Sequence, residues 1–150
     1  MQGTVHLLIG AAFASLIPHQ PTMFAAAVFS HYILDLLPHI DAETFADTKK
    51  PYTWYQKLSL TLDVVLVAAL LVTLFMLRSE PFPFLLGAIA AQLPDLLIPL
   101  EQYSIFSPLK RAHYMFHWDK RRAQTRGWYI AGLVVPALVA ATALIILLPM

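Results

Sequence analysis

The chain has no cysteine, which excludes disulfides, thiolate metal sites and cysteine nucleophiles together. Charge is nearly as scarce. Asp, Glu, Lys and Arg make up 13% of the 150 residues, against about 25% in an average soluble domain, too few to wet an ordinary surface. No excess of one sign is present either, and a formal net charge of +1 gives no electrostatic footprint for nucleic acid. No basic segment precedes the first apolar stretch, so that stretch is expected to stay in the mature chain. What is abundant is apolar: residues of the AVILMFWYC set reach 59% and the mean hydropathy is +0.65. A chain of this length and composition is expected to be one all-α membrane domain over 1–150, a helical bundle in the inner (plasma) membrane.

Five apolar segments follow one another. Thr4 to Ile17 and Thr22 to Leu37 are joined by the turn-like "PHQP". Both are short for a hydrocarbon core that takes about 20 helical residues, so each crosses only with flanking residues or re-enters. Leu58 to Leu77 is a full-length third span, Phe82 to Leu100 a fourth interrupted by Pro94 and Pro99, and Trp128 to Leu148 a fifth. Polar segments at 39–57 and 101–127 separate them. Those two segments carry Lys49, Lys50, Lys57, Lys110, Arg111, Lys120, Arg121, Arg122 and Arg126, leaving Arg78 alone on the other side. The positive-inside rule then puts both segments and the N-terminus in the cytoplasm. Tyr52, Trp54, Tyr55, Trp118 and Trp128 flank the same boundary as an aromatic belt.

On this topology the ionisable residues converge. "SHYILDLLPHID", Ser30 to Asp41, sets two histidines and two aspartates into an apolar run. His31 and Asp35 are four apart and share a helix face. Pro38 ends the helix and frees His39 and Asp41 to turn inward. At 1.5 Å rise per residue, His6, His31, Asp35, Asp63 and Asp95 all fall within about 10 Å of the cytoplasmic face. His113 and His117, again four apart, lie in the polar segment on that side. Intramembrane Asp and His mark functional sites by default. With too few buried Lys or Arg to pair them, the group favours a cation. Taken singly, several have structural readings: Asp63 as a cap or a partner of Lys57, Ser30 as a small packing residue, Glu43 and Asp47 as solvated loop residues.

Imidazole with carboxylate and no thiolate suits zinc, and also manganese or iron. The donor set serves one ion with an open position or two ions clamping a phosphoryl group. Metal candidates are therefore His6, His31, Asp35, His39, Asp95, His113 and His117, with Asp35 and Asp95 as candidate catalytic carboxylates. Lys110, Arg111 and Arg121 are placed to hold an anionic head group. No nucleophile elbow supports a serine hydrolase.

"VHLLIG", "SHYILDLLPHID", "GAIAAQLPD" and "HYMFH" together resemble the small membrane-bound metal-dependent hydrolases, which are distantly similar to zinc-dependent phospholipase C. The resemblance covers about Met1 to Trp118 and implies ligands at His6, Asp95, His113 and His117, with His31, Asp35, His39 and Asp41 added. Leu96 and Leu97 stand where that family has a second Asp after Pro-Asp, and the Arg-Gly of its paired-histidine stretch is absent.

The expectation is hydrolysis of a lipid-linked phosphate or ester at the cytoplasmic leaflet, with membrane lipids as partners. The rival expectation is a non-catalytic subunit of a larger membrane complex, its small-residue faces ("GAAFAS", "AAAVFS", "GAIAA") packing on other membrane proteins. Its histidines would then hold a structural ion, pigment or haem. A proton or metal-ion pathway is a third reading, weakened because nothing acidic continues to the other side.

Overall fold

A computed structural model describes residues 1–40, 51–97, 100, 115 and 125–148. Asp41, the greater part of 39–57 and nearly all of 101–127 thus lie outside the described residues. Within the described residues the chain is all-helical. α1 is Gly3–Leu16, α2 Gln20–Leu36, α3 Trp54–Leu77, α4 Pro81–Leu96 and α5 Arg126–Leu147.

Proline and capping set the boundaries. Ile17 is extended before Pro18, and Leu37 is extended before Pro38, because a following proline disfavours the helical region. Pro21 and Pro81 open α2 and α4 in the first turn, where a missing N–H costs nothing. Thr53 starts α3 four residues ahead of the expected Leu58: its backbone N–H donates to Gln56 Oε1 at 2.7 Å in a capping box. The Thr125 hydroxyl accepts from Trp128 N–H at 3.3 Å and starts α5. The fourth segment departs from expectation. Its helix stops at Leu96 rather than Leu100, since Pro94 removes a backbone donor in the last turn and Pro99 follows closely.

Only α3, with 24 residues, and α5, with 22, are long and apolar enough to cross a membrane. The helices alternate in direction. Asp63, early in α3, accepts from the N–H groups of Gly3 at 2.8 Å and Thr4 at 3.0 Å. These are orphan donors of the first turn of α1, and no side chain of its own satisfies them. The carboxylate therefore caps a neighbouring helix and fixes the register of α1 against α3. At the opposite end, Arg78 donates to the Leu147 carbonyl, the cation-on-C-terminus pairing that the helix dipole favours.

α1 is the hub. It packs on all four other helices and most extensively on α4. Leu7, Leu8, Ala11 and Ala12 of α1 are buried with Leu74, Ala88, Ala143 and Leu147. The α1–α4 crossing is a backbone contact: a Cβ added to Gly10 would meet the Gly87 carbonyl and lie 2.7 Å from Ala91 Cβ. No rotamer change relieves a clash with backbone, so the helices would have to move apart. Gly10→Ala is expected to destabilise by about 1–3 kcal/mol. Gly127→Ala, with nothing within 4 Å of the added carbon, is expected to change little. Denaturation of the two variants in detergent checks this, and equal effects would contradict the close approach.

Candidate metal centre

The site is built from three helix stripes of four-residue spacing. On α1, His6 stands one turn before Gly10. On α2, Ala27, His31 and Asp35 follow one another, and on α4, Gly87, Ala91 and Asp95 do the same. Residues four apart share a helix face. The small members of each stripe are buried (Ala27 and Ala91 at 0% exposure) and let the backbones approach. The polar members are thereby drawn into one layer.

In that layer His6 and His31 are fully buried and Asp35 is 2% exposed. The two imidazoles stack with ring centroids 4.1 Å apart and planes 22° from parallel. Asp35 spans them: one carboxylate oxygen lies 3.2 Å from His6 Nε2, the other 3.1 Å from His31 Nε2. The Met1 amino group also donates to Asp35. Asp95 reaches His31 Nε2 at 3.4 Å and is the outward member, with its side chain 33% exposed.

Tautomer logic sharpens the picture. His31 Nδ1 is 2.9 Å from the Ala91 carbonyl, which only accepts, so Nδ1 carries a proton. Nε2 then faces two carboxylates, and a neutral ring would turn its lone pair towards their oxygens. A proton or a metal cation has to sit there. An Nδ1–H held by a backbone carbonyl is also the usual outer support of a metal-ligating imidazole. His6 adds an independent observation. Neither of its ring nitrogens has an aligned hydrogen-bond partner among the described residues, although the ring is fully buried. Buried polar atoms without aligned partners are uncommon, and a ring held this way has a nitrogen available to a cation.

His6, His31 and Asp95 each offer a donor atom, all within 4.8 Å of one another, and the group can hold a metal ion. Donors at 2.0–2.1 Å from a tetrahedral zinc stand about 3.4 Å apart, so binding requires a closure of about 1 Å. Two imidazoles and a carboxylate fit zinc, and also manganese or iron.

Of the residues singled out from sequence, His6, His31, Asp35 and Asp95 are brought together. His39 is buried but stands outside this group, with Nδ1 2.8 Å from the Leu37 carbonyl of its own turn. Asp63 is the cap of α1. His113, His117, Lys110, Arg111 and Arg121 lie outside the described residues. The supporting contacts were not foreseen: the Ala91 carbonyl on His31, and Gln92, whose amide donates to the Gly3 carbonyl. Gln92 had a signal, as an amide inside an apolar helix. Ala91 had none.

Burial separates the two carboxylates energetically. Asp35→Ala strips a fully buried network of its common partner and is expected to cost about 3–5 kcal/mol. Asp95→Ala, at the wetter edge, is expected to cost about 1 kcal/mol or less. Unfolding of chelator-treated protein checks the order, and Asp95→Ala as the more damaging change would overturn it. No family model, curated protein or solved structure matches the chain.

Proposed function

We propose that the chain is a membrane-embedded, metal-dependent hydrolase of a lipid-linked phosphate or ester, of the type represented by the small membrane-bound metal-dependent hydrolases. The observation that carries this reading is the convergence of His6, His31 and Asp95 donor atoms within 4.8 Å, with Asp35 bridging both imidazoles. Support for the membrane comes from exposure. Only 6% of the apolar window of α3 is buried, whereas the core helix of a soluble protein hides most of such a window. Leu62, Val64, Val65, Leu66, Val72 and Phe75 all face outward, a surface suited to lipid.

A divalent ion, zinc by preference, would be held by His6, His31 and Asp95, and would polarise a phosphoryl or ester oxygen and acidify water there. Asp35 keeps both rings oriented and supplies the negative charge that retains a cation. Asp95, the one exposed member, takes the proton from the attacking water at its free oxygen. In the five-span arrangement expected from sequence, with a cytoplasmic N-terminus, this layer would lie at the inner-leaflet headgroups, and Lys110, Arg111 and Arg121 of the polar segment on that side would hold the anionic head.

The full burial of both imidazoles favours a second reading, a structural ion in an accessory subunit. Metal analysis and turnover separate the two. Protein purified in detergent is expected to carry one or two equivalents of metal, lost in His31→Ala and Asp95→Ala. It is also expected to release phosphate or fatty acid from vesicle-borne lipids in a chelator-sensitive way. With metal retained, Asp95→Asn should lower turnover about 10²–10⁴-fold, the range for loss of a general base. Metal at full occupancy without turnover on either lipid class would leave the structural ion. Metal at background level would end both readings.

A further inference from the structure

At the end of the bundle away from the His/Asp layer, a groove opens between α3 and α5. Each of these helices packs on α1, yet they are not among the helix pairs that pack closely on each other. α1 floors the gap with Leu8. The resulting cavity of about 260 Å³ is walled by leucines, among them Leu70, Leu74 and Leu77 of α3 and Leu144 and Leu147 of α5. Arg78 is its one charged wall residue, and Thr73 its one neutral polar one.

Among the described residues Arg78 is committed to no carboxylate. It donates to the Leu147 carbonyl, and its guanidinium carbon lies 4.7 Å from the Phe84 ring centroid. A guanidinium has five N–H donors in a rigid fork, so most remain for an anion, and the fork matches phosphate oxygens. The dimensions select the occupant. From Leu70 to Arg78 the α3 wall rises about 12 Å, close to the depth of one leaflet of a hydrocarbon core about 30 Å thick. A leucine-walled slot of leaflet depth with a cation at its top has the layout of an acyl chain below a phosphate. A soluble anion would have no use for the leucines, and a zwitterionic phospholipid brings its own cation to the phosphate, so a net anionic one gains more from Arg78.

We propose that this groove is a binding site for an anionic membrane phospholipid, one acyl chain lying between α3 and α5 and the headgroup phosphate on Arg78. The site needs the membrane placement of the bundle and is independent of the metal centre, so either can fail alone.

The full chain, purified in neutral detergent, would be titrated with phosphatidylglycerol or with phosphatidylcholine and read by native mass spectrometry and by the shift in Tm. One retained phosphatidylglycerol is expected, preferred over phosphatidylcholine by about fivefold, the factor for one arginine at an anionic headgroup layer. Arg78→Gln should abolish the preference and leave residual binding of both lipids. Because Arg78 also caps α5, Thr73→Trp serves as a second variant. It fills the slot, leaves the guanidinium in place and should lose retention of both lipids. Equal retention of the two lipids by the unaltered chain would overturn the proposal. So would undiminished preference in Thr73→Trp, or lipid-free dimers whose dissociation follows Thr73→Trp.

Discussion

The contact on which the rest depends is the meeting of two backbones at Gly10 and Gly87. Side chains of any size there would hold α1 and α4 apart. His6 lies four residues before Gly10, and Asp95 lies eight after Gly87, so both sit on the stripes that make the crossing. Close approach of the helix axes at mid-height therefore brings these two groups near each other one to two turns away. α2 joins through Ala27, buried with Ala90 and Ala91, and delivers His31 and Asp35 from the same register. Helix association in an apolar solvent relies on such small-residue faces, since burial of leucine against leucine offers no advantage over leucine against lipid. The packing device and the functional layer are consecutive parts of the same stripes.

That layer would be costly if left incomplete. Buried carboxylate and imidazole groups interact strongly at low dielectric, and a half-satisfied network is worse than an apolar one. Asp35 is the best-supplied member, with two imidazoles and the Met1 amino group around one carboxylate. His6 is the worst supplied, fully buried without an aligned partner. The asymmetry is informative. It leaves a ring nitrogen of His6 available in a group, with His31 and Asp95, that can hold a metal ion. Asp63 and Gln92 hold the start of α1 from two sides and so help to fix the place of His6 beside Asp35.

Much of this layer was legible in the sequence for a simple reason. Helical rise, counted from the expected ends of the apolar segments, puts His6, His31, Asp35 and Asp95 at one level, and the structure brings these four together. The i,i+4 spacing of His31 and Asp35 also fixed a shared face. Depth says nothing of azimuth, however, and His39 shows the consequence: it lies at the right level but is held by its own turn at Leu37. The end of α4 at Leu96 is hidden from hydropathy, which runs on to Leu100, whereas the helix closes with the Leu97 N–H on the Leu93 carbonyl at 3.1 Å. Asp63 was readable only as a choice between cap and ion pair. Its caps are the N–H groups of a helix 59 and 60 residues away, a relation that no local pattern encodes. Of the small-residue faces, Ala12, Ala27, Ala88, Ala90 and Ala91 are at most 2% exposed and pack inside the bundle, while Ala25 stays exposed.

The centrality of α1 also explains why the two ends of the molecule differ. A 14-residue helix is about 21 Å long, too short to span a hydrocarbon core alone, yet it is the element on which α2, α3, α4 and α5 all pack. At its N-terminal end α2 and α4 close over it, because alanine and glycine allow the backbones together, and the polar groups are sealed in. Towards the other end α5 still sets Ala143 against α1, but the facing sides of α3 and α5 carry Leu70, Leu74, Leu77, Leu144 and Leu147. Leucine side chains hold their helices apart, so the seam between them stays open above Leu8. One short helix with two kinds of neighbour thus produces a closed polar layer at one end and an open apolar slot at the other. The difference follows from side-chain size along each stripe, a property written in the sequence but interpretable only once the partner of each stripe is known.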